Sequence, residues 1–247
     1  MRGRRALERQ SKRPTSIDKR SIVKESQKRI KKALVEGFEY DHLAISNSDH
    51  FLRNHASQRL DFPVMFIDLV GSTKMSTELS ADFLSKIITV FSQEMSYVIE
   101  YFGGLVLKFV GDASIGYFPL SKNLDNIVLC GESIIHVVRS AINPLLLQMG
   151  HAGIEVKVTS DYGQHTIVRY GSDQERSHVD IISATMNLSA KMQSITKSSQ
   201  MVIGNSLYNK LSANLQRLFE LVNLEQTKWN YHNLAEQKSY QLYIAKF

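Results

Sequence analysis

The chain has 247 residues, 43% of them apolar and 22% charged, which is enough apolar material for a sizeable core. The single Cys130 rules out an internal disulfide or a zinc cluster, and no GxxxxGK, HExxH or CxxC occurs. Residues 1–34 hold 13 Lys and Arg against 3 Asp and Glu, a balance of +10, while the remainder balances at −4, so the net +6 belongs to an N-terminal arm.

In chain order, Ile22, Val23, Ile30, Ala33, Leu34 and Phe38 recur at helical intervals, predicting a basic, amphipathic helical arm over residues 1–38. Such an arm can contact anionic lipid or nucleic acid, or pack on the domain that follows. Polar, histidine-dotted sequence over 39–61 reads as a linker, and one domain is expected over 62–247. VMFID is a short apolar strand ending in Asp68, after which Gly71-Ser72-Thr73 turns the chain. A helix is predicted from about Ser80 to Phe102, stopped by Gly103 and Gly104. LVLKFV and SIGYF, joined through Gly111 and Asp112, read as a β-hairpin. Residues 124–149 predict a second amphipathic helix interrupted at Pro144. IEVKVTS alternates as a strand with HTIVRY as its hairpin partner. A helix over Ala184 to Thr196, the strand MVIG and a final strand SYQLYIAKF complete the chain. This order predicts an α+β sandwich, helices packed on one antiparallel-rich sheet. No run reaches the roughly 18 apolar residues of a membrane span and no apolar stretch follows the N-terminal charges, so a cytoplasmic location is expected.

Several polar residues stand where chemistry could use them. Asp68 sits at a strand end beside a loop of backbone N–H groups, which suits a hard cation with a phosphate, and equally suits a capped turn. Asp112 lies at a hairpin tip; if strand 64–67 runs beside strand 105–110, the two carboxylates share one sheet end and can share divalent ions. An aspartate after glycine is also common in tight turns. Simple alternation puts Lys108 with Val106 and Val110 on one face, where a mid-strand lysine needs an exposed edge or a specific partner. Asn187 and Lys191, four apart on the predicted helix, share a face, and Asp180 precedes Asn187 by seven residues.

The ordered set FIDLVGST, LVLKFVGDASIGYF and DIISATMNLSAKMQ resembles the catalytic domain of class III nucleotidyl cyclases, over about residues 62–205. The resemblance implies the family's ferredoxin-like sandwich and the conversion of ATP to 3′,5′-cyclic AMP and pyrophosphate. It implies two Mg²⁺ or Mn²⁺ ions held by Asp68, Asp112 and the backbone at Leu69. The Gly71-Ser72-Thr73 turn matches the triphosphate-binding position, Lys108 and Asp180 match the purine-reading pair, and Asn187 matches the residue that orients the ribose. Lys191 stands where the family carries an arginine facing the α-phosphate; Ser183 and Met186 replace the usual glycine and valine; Lys228 is the nearest match to a C-terminal phosphate contact. In the family, lysine with aspartate goes with ATP and glutamate with cysteine goes with GTP. Sites shared between two protomers imply a homodimer. Alternatives are a guanylate cyclase, a cyclase-like domain that binds nucleotide or a partner without turnover, and an adaptor built around the basic arm.

Overall fold

The computed structural model describes residues 19–40, 43–173, 177–227, 229–233 and 238–247. The first 18 residues of the arm and Lys228 therefore lie outside the described residues. Helix α1 (Lys19–Glu36) and helix α2 (Ala44–Asn54) precede β1 (Arg59–Val70), a twelve-residue strand of which VMFID is the middle. Then come α3 (Ser72–Glu78), α4 (Ala81–Tyr101), and the hairpin β2 (Leu105–Val110) and β3 (Ala113–Tyr117). Helix α5 (Asp125–Val137) continues through a π-helical turn (Val138–Ile142) into α6 (Asn143–Gln148). The interruption expected at Pro144 takes the form of this π-helical turn, which directly precedes it and places the proline in the first turn of α6, where a missing N–H costs little.

β4 runs unbroken over Glu155–Tyr170. The prediction of two strands folded on each other is corrected: β1 pairs straight through the expected connection between them, from Val70 opposite Glu155 to Arg59 opposite Thr166. The true partner of its second half is β5 (His178–Ile182). Helix α7 (Ala184–Met192) and β6 (Gln200–Gly204) follow, the latter parallel to the first half of β4. Short helices α8 (Asn205–Tyr208) and α9 (Ala213–Gln216), strand β7 (Glu220–Leu221), a small hairpin of β8 (His232–Asn233) and β9 (Lys238–Ser239), and β10 (Leu242–Lys246) end the chain. The main sheet has the order β2-β3-β1-β4-β6-β10-β7, with β5 on the free half of β4. This is the predicted α+β architecture.

One face of the sheet is sealed by α4 and α5, with Met65, Ile67, Phe91, Met95, Ile99, Ile134 and Val158 buried between them. The segment read as an arm adds to this layer. Its helix α1 buries Ile22 and Ile30 in the same cluster, and the Arg29 fork donates to Glu94 at 2.9 and 2.6 Å while lying over the Tyr97 ring. Lys19 pairs with Glu132 of α5. Two of the arm's charges are thus spent on the domain. The opposite face holds a smaller cluster, in which α2 packs Leu52 on Phe62, Val64, Tyr117 and Ile181, and Ser48 meets the Tyr117 hydroxyl at 3.0 Å.

Asp161, 1% exposed, accepts from the N–H groups of Tyr162 and Leu207 and from the Tyr240 hydroxyl, tying β4 to the C-terminal third. Burial pushes its carboxyl up to about 6, with the hydrogen bonds pulling the other way. The folded chain therefore binds more protons than the unfolded chain between pH 3.8 and about 6, and this group's contribution to stability falls as pH rises through that window. Asparagine can accept both N–H bonds and donate to the tyrosine oxygen. Asp161→Asn is expected to remove that slope, gaining on the order of 2–3 kcal/mol at pH 7 relative to pH 4. Urea unfolding of both proteins at the two pH values checks it; parallel pH trends contradict it.

Candidate active site

Asp68 points from β1 to the face not covered by α4, and pairs across the ladder with Ala113, the residue after Asp112. The expected neighbour relation is corrected here: β3, not β2, lies beside β1. The β2–β3 turn nevertheless sets Asp112 next to Asp68. Burial raises the Asp68 pKa from its ordinary value, Lys157 opposes this, and the Asp112 charge adds to the rise.

Lys157 is the residue that sequence reasoning missed. It stands directly opposite Asp68 on β4, its Nζ 3.1 Å from Asp68 Oδ2 and 3.2 Å from the Gln193 carbonyl oxygen. Alternation in EVKVTS does point Lys157 away from Val156 and Val158, but only the β1–β4 register reveals what it faces. After Asp68, Leu69 is buried and Gly71 adopts a left-handed φ of 77° that turns the strand into α3. The first helical bond of α3 is Met75 N–H to the Gly71 oxygen, so the N–H groups of Ser72 and Thr73 precede the helical ladder. Gly71 and Thr73 are exposed and Ser72 is half-buried, at the same sheet end as the two aspartates.

Lys108 needed a partner and has one: it forms an ion pair with Asp180 of β5. Simple alternation fails in β2. A register shift between Val106 and Lys108 leaves Val106 opposite Gly116 and Lys108 opposite Ile115, so Val106 enters the helix-side core while Lys108 faces the other way. Asp180 keeps its second oxygen on the Ile181 N–H at 2.8 Å, and His178 lies 4.0 Å from its first. Lys108, Phe66, Ile115, Ile182, Met186 and Asn187 line an open groove of about 650 Å³. Asn187 and Lys191 are both exposed on α7, one turn apart. The structure therefore brings together two groups: Asp68, Asp112, Lys157 and the Gly71 turn at one sheet end, and Lys108, Asp180 and Asn187 around the groove.

Residues 55–243 match the family described as the adenylate and guanylate cyclase catalytic domain. The chain belongs to that family. This cyclase-family domain is 28% identical over 159 residues to a protein named uridylate cyclase from Rhodovulum sp. (strain MB263), covering 61% of this chain and 64% of that one. It is 26% identical over 163 residues to one named cytidylate cyclase from Escherichia coli, covering 60% and 34%. It thus spans less than two thirds of either curated relative. Among solved structures, the guanylyl cyclase Cya2 superposes with a TM-score of 0.65 at 21% identity, over 77% of this chain and 93% of that chain, which shows a common fold. No helix among the described residues is long and apolar enough to cross a membrane.

Proposed function

We propose that this domain is an adenylate cyclase, closing ATP to 3′,5′-cyclic AMP with release of pyrophosphate. The observation that carries the base choice is the Lys108–Asp180 pair at the groove. Adenine offers an acceptor at N1 and an amine at N6, so a lysine donates to the first and an aspartate accepts from the second. Guanine and uracil present the reverse pattern. Cytosine, with an acceptor at N3 and an amine at N4, presents the same pattern as adenine on a smaller ring. CTP is therefore the second reading, favoured by the relative named cytidylate cyclase.

The acidic end fits a hard divalent cation: two neighbouring carboxylates, the proton affinity of Asp68 raised by burial and further by Asp112, offer oxygen donors in a half-buried setting. Among the described residues no cluster of three His, Cys, Asp or Glu side chains is present, so Asp68, Asp112 and the Leu69 carbonyl would hold Mg²⁺ or Mn²⁺ together with phosphate oxygens. Bound there, the ions supply charge neutralisation of the triphosphate and a more acidic ribose 3′-hydroxyl. The chain's own groups do the rest. Ser72 and Thr73 N–H groups and the Lys157 ammonium meet phosphate oxygens, Asn187 orients the ribose, and Lys191 faces charge building on the α-phosphate. The purified protein with Mn²⁺ and each of the four nucleoside triphosphates tests this by product analysis. Cyclic AMP is expected; cyclic CMP as main product supports the second reading. Cyclic GMP or UMP overturns the reading of the pair, and no cyclic product leaves a nucleotide-binding domain without turnover.

The groove residues and the aspartates serve one nucleotide best when they come from two chains, so a homodimer with two equivalent sites is part of this proposal. Exposed apolar side chains beside both groups, Phe109 and Val110 at the hairpin tip and Ile182 at the end of β5, support it. Asp68→Ala and Asn187→Ala proteins are each expected to be inactive, and their mixture to recover part of the activity through dimers with one intact site. No recovery after demonstrated subunit exchange contradicts the shared site.

A further inference from the structure

Helix α7 carries Asn187 and Lys191, and two points on β4 fix where it starts. The first, His165, acts through Ser183, the N-cap, in extended conformation (φ −171°, ψ 164°), whose Oγ accepts from the Met186 N–H at 2.9 Å. The same Oγ lies 2.8 Å from Nδ1 of His165. His165 is 0% exposed, its ring stacked on Phe62 at 4.2 Å and its Nε2 2.9 Å from the Phe62 carbonyl oxygen. A carbonyl oxygen only accepts, so Nε2 carries the ring proton. Burial holds the imidazole below its ordinary pKa, and Asp61 is the charged neighbour that opposes this. In the neutral ring Nδ1 is then an acceptor, and the Ser183 hydroxyl must donate to it. Every polar atom from the Phe62 oxygen to the Met186 N–H has one role, and none is left over.

The second point is Gly163, two residues before His165 on the same face of β4. A Cβ there would lie 2.0 Å from Thr185 Oγ1, so the first turn of α7 rests directly on the strand backbone. The far end of α7 is tied separately: Gln193 Nε2 donates to the Phe66 oxygen at 3.0 Å and Thr159 Oγ1 donates to the Ser189 oxygen at 2.8 Å. Nothing on the C-terminal side substitutes for the His165 contact, because those bonds reach a different stretch of β1 and β4.

We propose that His165 is a positioning residue for cyclisation: through the Ser183 hydroxyl it sets the first turn of α7, and with it Asn187 one turn further on and Lys191 two turns further on. The proposal rests on the cyclase reading. Its consequence is selective. Lys108 and Asp180, which hold the base, stand on other strands, so loss of the His165–Ser183 bond acts on contacts made as the α-phosphate reacts and spares base binding.

His165→Phe keeps the stack on Phe62 and removes both of the ring's hydrogen bonds; Ser183→Ala removes the donor to His165 together with the cap on the Met186 N–H; Ser183→Thr keeps both. We expect kcat to fall about 10-fold in the first two, with KM within about 2-fold of wild type, and Thr to restore it. The double variant His165→Phe with Ser183→Ala should lose clearly less than the product of the two single losses, since both changes break the His165–Ser183 bond, while each also removes one bond of its own, to the Phe62 oxygen and to the Met186 N–H. A kcat unchanged in Ser183→Ala, equal loss in Ala and Thr, or additive losses in the double variant overturns the proposal. Should His165→Phe fail to fold, His165→Leu, which leaves the Ser183 cap on the Met186 N–H in place, decides in its stead. Hydrogen exchange keeps the two readings apart. In Ser183→Ala, amides of residues 184–188 should exchange faster while those of β1 and β6 do not, whether or not the wild type makes a cyclic nucleotide. Unchanged protection there overturns the positioning role by itself, and an inactive wild type with the exchange effect present overturns only the cyclase reading.

Discussion

Asp68→Asn and Asp112→Asn are each expected to lower cyclase turnover by roughly 10³-fold or more, as loss of a charged ligand from a divalent-ion site removes about 4 kcal/mol or more of transition-state stabilisation. The fold should survive. Neither side chain is part of an apolar cluster, and asparagine is isosteric with aspartate. The Asp68 change has an additional consequence, because Lys157 loses the charged half of its ion pair. Lys157 keeps the Gln193 oxygen and can donate to the amide oxygen that the substitution leaves at position 68, so its ammonium is not stranded. Melting temperatures within a few degrees of wild type, together with absent product at saturating Mn²⁺, are the expected pair of results. Near-wild-type turnover in either variant would remove the aspartates from the metal site.

What the sequence shows of this molecule divides along a physical line. Local patterns were legible: the α4 stripe from Ile87 to Ile99, the β2–β3 hairpin around Gly111 and the helix carrying Asn187 all follow from spacing over a few residues. Relations set by register were not. Gly163 falls between the two strands read as a hairpin, while its use here is to let Thr185 approach β4, which no local pattern encodes. The shift between Val106 and Lys108 likewise defeats alternation, and it is this shift that turns Lys108 toward Asp180, 72 residues away. The arm's charge was visible, but not that Arg29 would find Glu94 and lie on Tyr97. Lys157 remained hidden for the same reason: a lysine in a strand is ordinary until the strand opposite supplies an aspartate.

The ion pair at the groove allows base choice to be inverted without breaking the fold. Lys108 and Asp180 satisfy one another in the free protein, so removing either alone strands a charge that is only 36% or 14% exposed in its side chain. Lys108→Glu combined with Asp180→Lys keeps an ion pair between β2 and β5 while exchanging donor and acceptor. Position 108 then accepts from a ring N–H and position 180 donates to a carbonyl oxygen, the pattern of guanine and uracil. Each reversed hydrogen bond is worth roughly 1–3 kcal/mol when its wrong partner is left unpaired, so two reversals should move the ratio of kcat/KM for ATP over GTP by about 10²-fold or more. The direction carries the argument further than the size. A swap that lowers ATP and CTP use together, and raises GTP or UTP use, places the pair on the Watson–Crick edge of the base. Selectivity left unchanged in a folded double variant would mean that Lys108 and Asp180 serve only each other, and that ring size or the Phe66 and Ile182 walls of the groove choose the nucleotide.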